Sequence, residues 1–367
     1  MSAFTGITVD REALIANYAT VASVVAPAGV IAVVKADAYG HGALECAQAF
    51  VDAGAEWLGV ADIDEALALR AGGIGDDVRI LAWLHAPDED FRRAAAADIT
   101  PAVSSVEQLA TAVDAEVPRV HLVVDTGLSR NGAVESEWPE LFALAGSLAA
   151  SGARTRIEGV MSHLSNASEP DDAAQGAALE RALAGLATVG VVPDVVHLAA
   201  SAAALSLPSL RHDLVRTGIA LYGLSPVPGR TSAELGLRPA MTVTASVLRL
   251  IPVRAGEGVS YGYTHRAERD TTLAIVGLGY ADGFDRAFGN RVDVAIGGRR
   301  FPVVGRVAMN AMHIDVGDAP VAVGDEVVLW GDPATGVPAV EEWAAAIGTI
   351  NYEIVARLGR GVPRRMS

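Results

Sequence analysis

Several things are scarce in this chain, and each scarcity closes off a class of protein. There is one cysteine, Cys46, in an Ala-rich helical stretch, so neither a disulfide framework nor a thiolate metal site can be assembled. Cys46 reads as a small buried hydrophobe, and no metal site is expected. Uninterrupted apolar runs of about 18 residues are missing, so no membrane span is expected. The opening Met1-Ser2-Ala3-Phe4-Thr5-Gly6 lacks the basic segment and apolar core of a secretion signal, which points to the cytoplasm. Positive charge is in deficit: 28 Lys+Arg stand against 44 Asp+Glu, a formal net charge of −16. Nucleic acids and anionic membranes select basic surfaces, so neither is an expected partner. His41, His85, His121 and His197 show no zinc spacing with cysteines and read as structural. Gly277-Leu278-Gly279 lacks the third glycine of a dinucleotide loop and is set aside.

What is present is a long, apolar, repetitive chain. At 367 residues with 51% hydrophobic content it is large enough for two domains. From residue 30 to about 220, short apolar runs alternate with Ala/Leu/Glu helix-forming stretches. The runs are Val30–Val34, Trp57–Val60, Val78–Leu84, Ile99–Val103, Val120–Val124, Ile157–Met161, Val195–Leu198 and Asp213–Val215. Alternation implies a parallel sheet with crossover helices, and eight units imply closure. The expected class is α/β, with an N-terminal (β/α)8 TIM barrel. Near Ser225–Thr231 a Pro/Gly stretch reads as a linker. Beyond it, Thr242–Leu250, Thr271–Val276, Val292–Ile296, Val303–Val307 and Glu326–Leu329 read as a mostly antiparallel β domain with a helix at Val340–Ile347. The expected division is 1–230 and 231–367. Thr5–Val9 could join either sheet, and the C-terminal one is favoured.

Barrel active sites lie at the C-terminal ends of the strands. There the sequence places Lys35-Ala36-Asp37-Ala38-Tyr39, Asp125–Arg130, Ser162-His163, Ala200-Ser201-Ala202 and Arg216-Thr217-Gly218-Ile219. Lys35 ends a strand buried on both faces, where a charge is expensive to desolvate. A desolvated amine loses its proton readily and can form a Schiff base with a carbonyl. Loops after strands seven and eight often bind phosphate. Ser201 can donate a hydroxyl there, and Gly218 lets an anion approach the backbone amides. Alone, Ser201 reads as a helix cap and Gly218 as a turn; with Lys35 they describe the two ends of pyridoxal 5′-phosphate.

Ala32-Val33-Val34-Lys35-Ala36-Asp37-Ala38-Tyr39-Gly40-His41-Gly42 resembles the cofactor-lysine signature of the alanine racemases. So do Asp125–Gly132, Val259-Ser260-Tyr261-Gly262, Gly279–Gly283, Val304–Asn310 and Asn351-Tyr352-Glu353-Ile354, in order over nearly the whole chain. The resemblance implies a homodimer, pyridoxal phosphate bonded to Lys35, and interconversion of L- and D-alanine, supplying D-alanine for peptidoglycan. It implies two bases on opposite faces of the substrate, Lys35 and the partner's Tyr261. A phenol titrating near about pH 10 needs cationic or hydrogen-bonding neighbours to act as a base, and His163 and Arg216 resemble the residues that serve. Arg216 also resembles the arginine facing the pyridine nitrogen. Its fixed charge would keep that nitrogen unprotonated and suppress transamination. Arg130 resembles the residue that bonds the cofactor's phenolic oxygen and orients the substrate carboxylate. Tyr39, Ser201, Gly218, Ile219 and Tyr352 match phosphate contacts. Met309 matches a substrate contact from the other subunit, and Tyr280 an entrance residue.

Three positions depart from the family's pattern. Val123 stands where many members carry a lysine, so Arg130 needs another support. Asn310 replaces a usual aspartate, and Ala200 a common asparagine. These bear on substrate preference and rate, not on the reaction class. Racemisation of serine or of a broader amino-acid set is the alternative reading. A cofactor carrier without activity would end near residue 230. A decarboxylase of the same barrel type would show a glycine-rich phosphate loop and a C-terminal catalytic cysteine.

Overall fold

The computed structural model describes residues 5–358 and 361–367. Eight parallel strands close into a barrel: β2 (Gly29–Val33), β3 (Trp57–Val60), β4 (Arg79–Ala82), β5 (Ile99–Val103), β6 (Arg119–Val123), β7 (Arg156–Met161), β8 (Val195–Ala200) and β9 (Leu214–Thr217), preceded in the chain by β1 (Thr5–Val9). Closure is made by β9 against β2, in the register Gly29↔Leu214 to Ala32↔Thr217. All eight expected strands are present. The run Val78–Leu84 is trimmed to its centre. Conversely, β9 runs two residues beyond Val215, because Arg216 and Thr217 are themselves buried.

The strands alternate between two apolar layers, as a barrel requires. Ile31, Leu81, Ala102, Val123, Met161 and Leu214 fill the interior with Trp57 and Trp83 against them. Their neighbours face the surrounding helices. Polar N-caps start several of those helices: Asp10 accepts from the Ala13 N–H at 2.9 Å and Asp62 from Glu65 at 2.9 Å, each satisfying a donor with no partner inside its helix. No helix among the described residues is long and apolar enough to cross a membrane.

The rest of the chain forms a mostly antiparallel sheet. Its strands are β10 (Met241–Val253), a small hairpin of β11 (Gly258–Val259) and β12 (His265–Arg266) set apart from it, then β13 (Thr271–Val276), β14 (Asp293–Ile296), β15 (Arg299–Val304), β16 (Met312–Asp315), β17 (Glu326–Trp330) and β18 (Arg364–Met366). The order is β13-β16-β15-β14-β17-β10-β1-β18, and β10 also pairs with β13. β10 reaches both partners through an irregularity between Val247 and Arg249. The strand expected at Val303–Val307 instead begins at Arg299 and stops at Val304, where Gly305 turns to φ +70°. β1 lies in this sheet, antiparallel to β10 and parallel to β18. The helix Val340–Ile347 packs Trp343 against Phe284, Phe288 and Trp330.

Candidate active site

A cavity of about 830 Å³ opens at the C-terminal ends of the barrel strands. Lys35, Tyr39, Arg130, His163, Ser201, Arg216, Gly218 and Tyr352 all line it, so eight of the residues singled out from sequence converge on one mouth. Lys35 follows β2 after Val34 and is the only lysine in the chain; the other Lys+Arg positions are arginines. Its Nζ lies 5.5 Å from the centre of the Trp83 ring. Burial pushes the Lys35 pKa down, Arg130 and Arg216 add to that, and Glu65 opposes it. A lysine so placed is more easily deprotonated, hence more nucleophilic, than one in water.

The turn carrying Lys35 is unusual. Ala36, Asp37, Ala38 and Tyr39 have φ of 53°, 54°, 52° and 54°, a single left-handed helical turn. Non-glycine residues there cost roughly 1–2 kcal/mol each, so the surroundings must impose it. Three side chains do. Glu65 accepts from the Ala36 N–H at 2.7 Å and the Ala61 N–H at 2.8 Å. Asp37 accepts from the Ala43 N–H at 2.9 Å, and Arg364 bonds both the Gly40 carbonyl and Asp37. The turn swings Tyr39 back over the barrel mouth, where its ring lies 6.1 Å from that of Tyr352.

That end of the cavity suits an anion. Ser201 Oγ accepts from the Gly218 N–H at 3.0 Å, which ties the ends of β8 and β9 together. A Cβ on Gly218 would lie 2.3 Å from the Tyr39 hydroxyl, so the glycine makes the room that the phenol occupies. Ile219 begins a 3₁₀ segment immediately after, and the first amides of a helical segment have no partner within it. Burial raises the pKa of Tyr39 and takes that of Tyr352 up to about 12, so both phenols are neutral donors. Hydroxyls and amides at one end with an amine elsewhere in the same cavity fit a molecule bearing both a phosphate and a carbonyl.

Arg216 is buried between these ends. Its Nη1 donates to the His197 carbonyl and to His197 Nδ1, both at 2.9 Å. Its Nη2 donates to the carbonyls of Ser162 at 2.6 Å and Leu198 at 3.1 Å, and to His163 Nδ1 at 3.0 Å. Burial, with Arg130 nearby, brings Arg216 down to about 9. Burial and the cations Arg216, Arg130 and Lys35 push His163 down to about 2. His163 is therefore neutral, and since Nδ1 accepts, its hydrogen sits on Nε2. Arg130 lies on the loop after β6, where Val123 leaves it no lysine partner. The loop is held instead by Asp125, which accepts from Gly127 at 2.9 Å and Ser129 at 3.2 Å, and by Asn131, which donates to the Trp83 carbonyl at 3.2 Å.

Tyr261, Tyr280 and Met309 stand elsewhere. They are 68%, 44% and 55% exposed on the C-terminal part of the chain, outside the cavity lining. Two backbone bonds and one side-chain bond place them on one platform: Tyr280 N–H donates to the Ala308 carbonyl, Ala281 N–H to that of Met309, and Ser260 Oγ to that of Arg306. Sequence reading passed over Glu65, Trp83, Asn131 and Arg364. Trp83 had the clearest signal, an aromatic at the end of a barrel strand; the others act through contacts distant in sequence.

Fold and site define a barrel enzyme built around one buried amine with an anion-binding end. Residues 9–226 match the family described as "Alanine racemase, N-terminal domain", and residues 240–366 match "Alanine racemase, C-terminal domain". The alanine racemase of Thermobifida fusca is 45% identical over 99% of this chain and 98% of its own length. That of Mycolicibacterium vanbaalenii is 47% identical over 95% and 90%. Among solved structures, the alanine racemase of Streptomyces coelicolor A3(2) matches with a TM-score of 0.96 at 42% identity, over 99% of this chain and 98% of that one. The alanine racemase of D-cycloserine-producing Streptomyces lavendulae matches with a TM-score of 0.96 at 41% identity, over 100% and 98%. The chain belongs to the alanine racemase family and is an enzyme of that family.

Proposed function

We propose that this chain forms a cytoplasmic homodimer that interconverts L-alanine and D-alanine with pyridoxal 5′-phosphate held on Lys35, and that the D-alanine serves peptidoglycan synthesis. The observation that carries this reading is the placement of the chain's one lysine, its pKa lowered, in the same cavity as the Ser201–Gly218 anion end. Residues 1–230 would carry the cofactor, and 231–367 would present side chains to the partner.

When bound there, pyridoxal phosphate withdraws electrons from an attached amino acid and acidifies its Cα–H. Ser201, Gly218, Ile219, Tyr39 and Tyr352 would hold the phosphate. Arg130 would take the substrate carboxylate in a charge-assisted bond. Arg216 would face the ring nitrogen, where a donor that is charged near neutrality disfavours a second positive charge. Lys35 Nζ would remove and return a proton on one face, as an amine with lowered pKa can near neutrality. On the other face the partner's Tyr261 would do the same. His163 Nε2–H is the free donor on the ring that Arg216 holds, and it would steady the phenolate. The exposure of Tyr261, Tyr280 and Met309 on a shared platform supports a role across a subunit boundary.

The test uses the purified, cofactor-loaded protein. L-alanine should yield D-alanine, and the Lys35→Ala variant should do neither this nor show the cofactor's visible band. Borohydride, which reduces a C=N bond to an amine, should attach the pyridoxyl group at Lys35. If L-serine inverts while alanine keeps its handedness, the alanine assignment falls.

A further inference from the structure

His121 and His197 read as structural in the sequence, yet they lie end to end inside the barrel. His197 Nε2 is 2.8 Å from His121 Nδ1, and His121 Nε2 is 3.4 Å from Glu158 Oε2. At one end Arg216 Nη1 meets His197 Nδ1 at 2.9 Å. At the other, Glu158 is bonded by Arg79 and by Arg156 Nη2 at 3.1 Å. The line thus runs from the cavity to the opposite end of the barrel: Arg79, Arg119 and Arg156 all stand at the first residues of their strands.

The direction of every bond is fixed by chemistry. A guanidinium has only donors and a carboxylate only acceptors. Arg216 must donate to His197 Nδ1, so that nitrogen is bare and the ring hydrogen sits on Nε2. Nε2–H then donates to His121 Nδ1, which leaves the His121 hydrogen on Nε2, aimed at Glu158. Burial lowers the pKa of both rings, so they are neutral and each carries one hydrogen. Glu158 is an anion throughout: burial would raise it, but His121 and Arg79 overcome that and hold it at about 2.

Two further observations show that the line is built rather than incidental. A Cβ on Gly159 would lie 2.7 Å from both Cε1 and Nδ1 of His121, so the residue beside Glu158 is kept small to admit that ring. Among the described residues Arg216 touches no carboxylate; its bonds are to carbonyls and imidazole nitrogens. A buried cation without a contacting anion is costly, and an oriented chain of dipoles ending on a carboxylate offsets part of that cost.

We propose that His197, His121 and Glu158 are positioning residues that hold Arg216 charged and aimed across the cavity, by locking His197 in the one tautomer that can accept its hydrogen bond. No proton moves along the line. Remove the carboxylate, and His121 and then His197 become free to take the other tautomer. His197 would then turn an N–H toward a guanidinium N–H, and Arg216 would have to shift. This rests on the racemase reading only for what the misaimed Arg216 does to the reaction.

The experiment has two arms. First, nitrogen-15 NMR of the imidazoles in the cofactor-free protein should show Nδ1 bare and Nε2 protonated for both His121 and His197. Glu158→Gln should blur that pattern into a tautomer mixture, because glutamine offers one acceptor oxygen to three donors. A hydrogen on His197 Nδ1, or a cationic ring, overturns the proposal whether or not the enzyme racemises alanine. Second, in the loaded enzyme, Glu158→Gln should lower kcat roughly tenfold, as expected when a buried donor loses its partner, with KM for alanine little changed. It should also raise the share of turnovers lost to transamination. Gly159→Ala, which displaces the His121 ring, should act in the same way. Variants that lose thermal stability while that share stays at the wild-type value would make the line merely structural and overturn the proposal. Loss of the racemase reading would look different: wild-type protein that leaves alanine's handedness alone.

Discussion

Arg364 and Asp37 form an ion pair at 2.9 Å, so strand β18 grips the turn that carries Lys35. Arg364 Nε adds a bond to the Gly40 carbonyl at 2.7 Å. The four left-handed residues between Lys35 and Gly40 are therefore held from outside by β18 and, through Glu65, by the helix Ile63–Ala71 that follows β3.

Arg364→Ala should loosen that turn. The pair is partly exposed, so its loss is worth about 1 kcal/mol, and the strained turn adds to the effect. Cofactor should bind about five- to tenfold more weakly, measured by equilibrium dialysis. Arg364→Lys should recover part of the loss through the single bond to Asp37. Unchanged affinity in Arg364→Ala would mean the turn does not depend on β18.

Gly218→Ala asks whether the Tyr39 hydroxyl belongs where it sits. The glycine sits at φ −121° and ψ −85°, outside the regions that favour a side chain, so backbone strain adds to the loss of space. The new methyl would have to displace a phenol now 2.3 Å away. Overpacking of this kind costs about 1–3 kcal/mol, and phosphate affinity should fall roughly tenfold or more. Inorganic phosphate binding to the cofactor-free protein is the readout; equal affinities in the two proteins would contradict the assignment of this end.

The proposed role of the partner's Tyr261 can be tested by mixing inactive subunits. Neither Lys35→Ala nor Tyr261→Phe should racemise alone at more than a small fraction of the wild-type rate. Unfolded together and refolded at equal amounts, they should recover about one quarter of wild-type activity, because half the dimers are mixed and each has one intact site. No recovery would place Tyr261 and Lys35 of the same chain in one site.

Acid should weaken the fold from near pH 6.5 downward. Burial lowers His41 to about 4 against an ordinary value of 6.5. Above pH 6.5 the ring is neutral in both states and adds no pH dependence. As pH falls, the unfolded chain takes a proton that the fold refuses, and stability drops by about 2 kcal/mol for this residue by pH 5. His197 moves in the same direction. Glu158, held at about 2, loses its contribution only below its unfolded value of about 4.5, so it plays no part at pH 5. Urea midpoints of the cofactor-free protein at pH 7 and pH 5 measure the slope. His41→Asn should flatten it, and identical midpoints would refute the account.

The barrel was legible because each of its strands is buried on both faces, and a run such as Ile99–Val103 has no other reading in an alternating chain. Boundaries were less so. β9 outruns its apolar residues because Arg216 and Thr217 are buried for chemical reasons. β15 begins at Arg299-Arg300, exposed charges that carry no strand signal. β16 and β18 went unread, one for brevity and one because Arg364-Arg365 looks like a solvated tail. At the site, Lys35, Ser201 and Gly218 could be read from their places at strand ends. The left-handed turn could not: Lys-Ala-Asp-Ala-Tyr has ordinary right-handed helix propensity, and only Glu65, Asp37 and Arg364 overrule it. The His197–His121 line depends on residues 76 apart in sequence, which no local pattern reveals.

β1 has no partner until β10 exists, since Thr5 pairs with Ala245 and Ile7 with Arg364. During synthesis on the ribosome the first strand must therefore wait, unpaired, while all eight barrel strands emerge and close. The barrel has to fold beside a dangling β-segment, and the sheet that captures it is finished only after residues 364–366 leave the exit tunnel. A nascent chain stalled before residue 241 should thus hold a protected barrel and an N-terminal strand still open to protease.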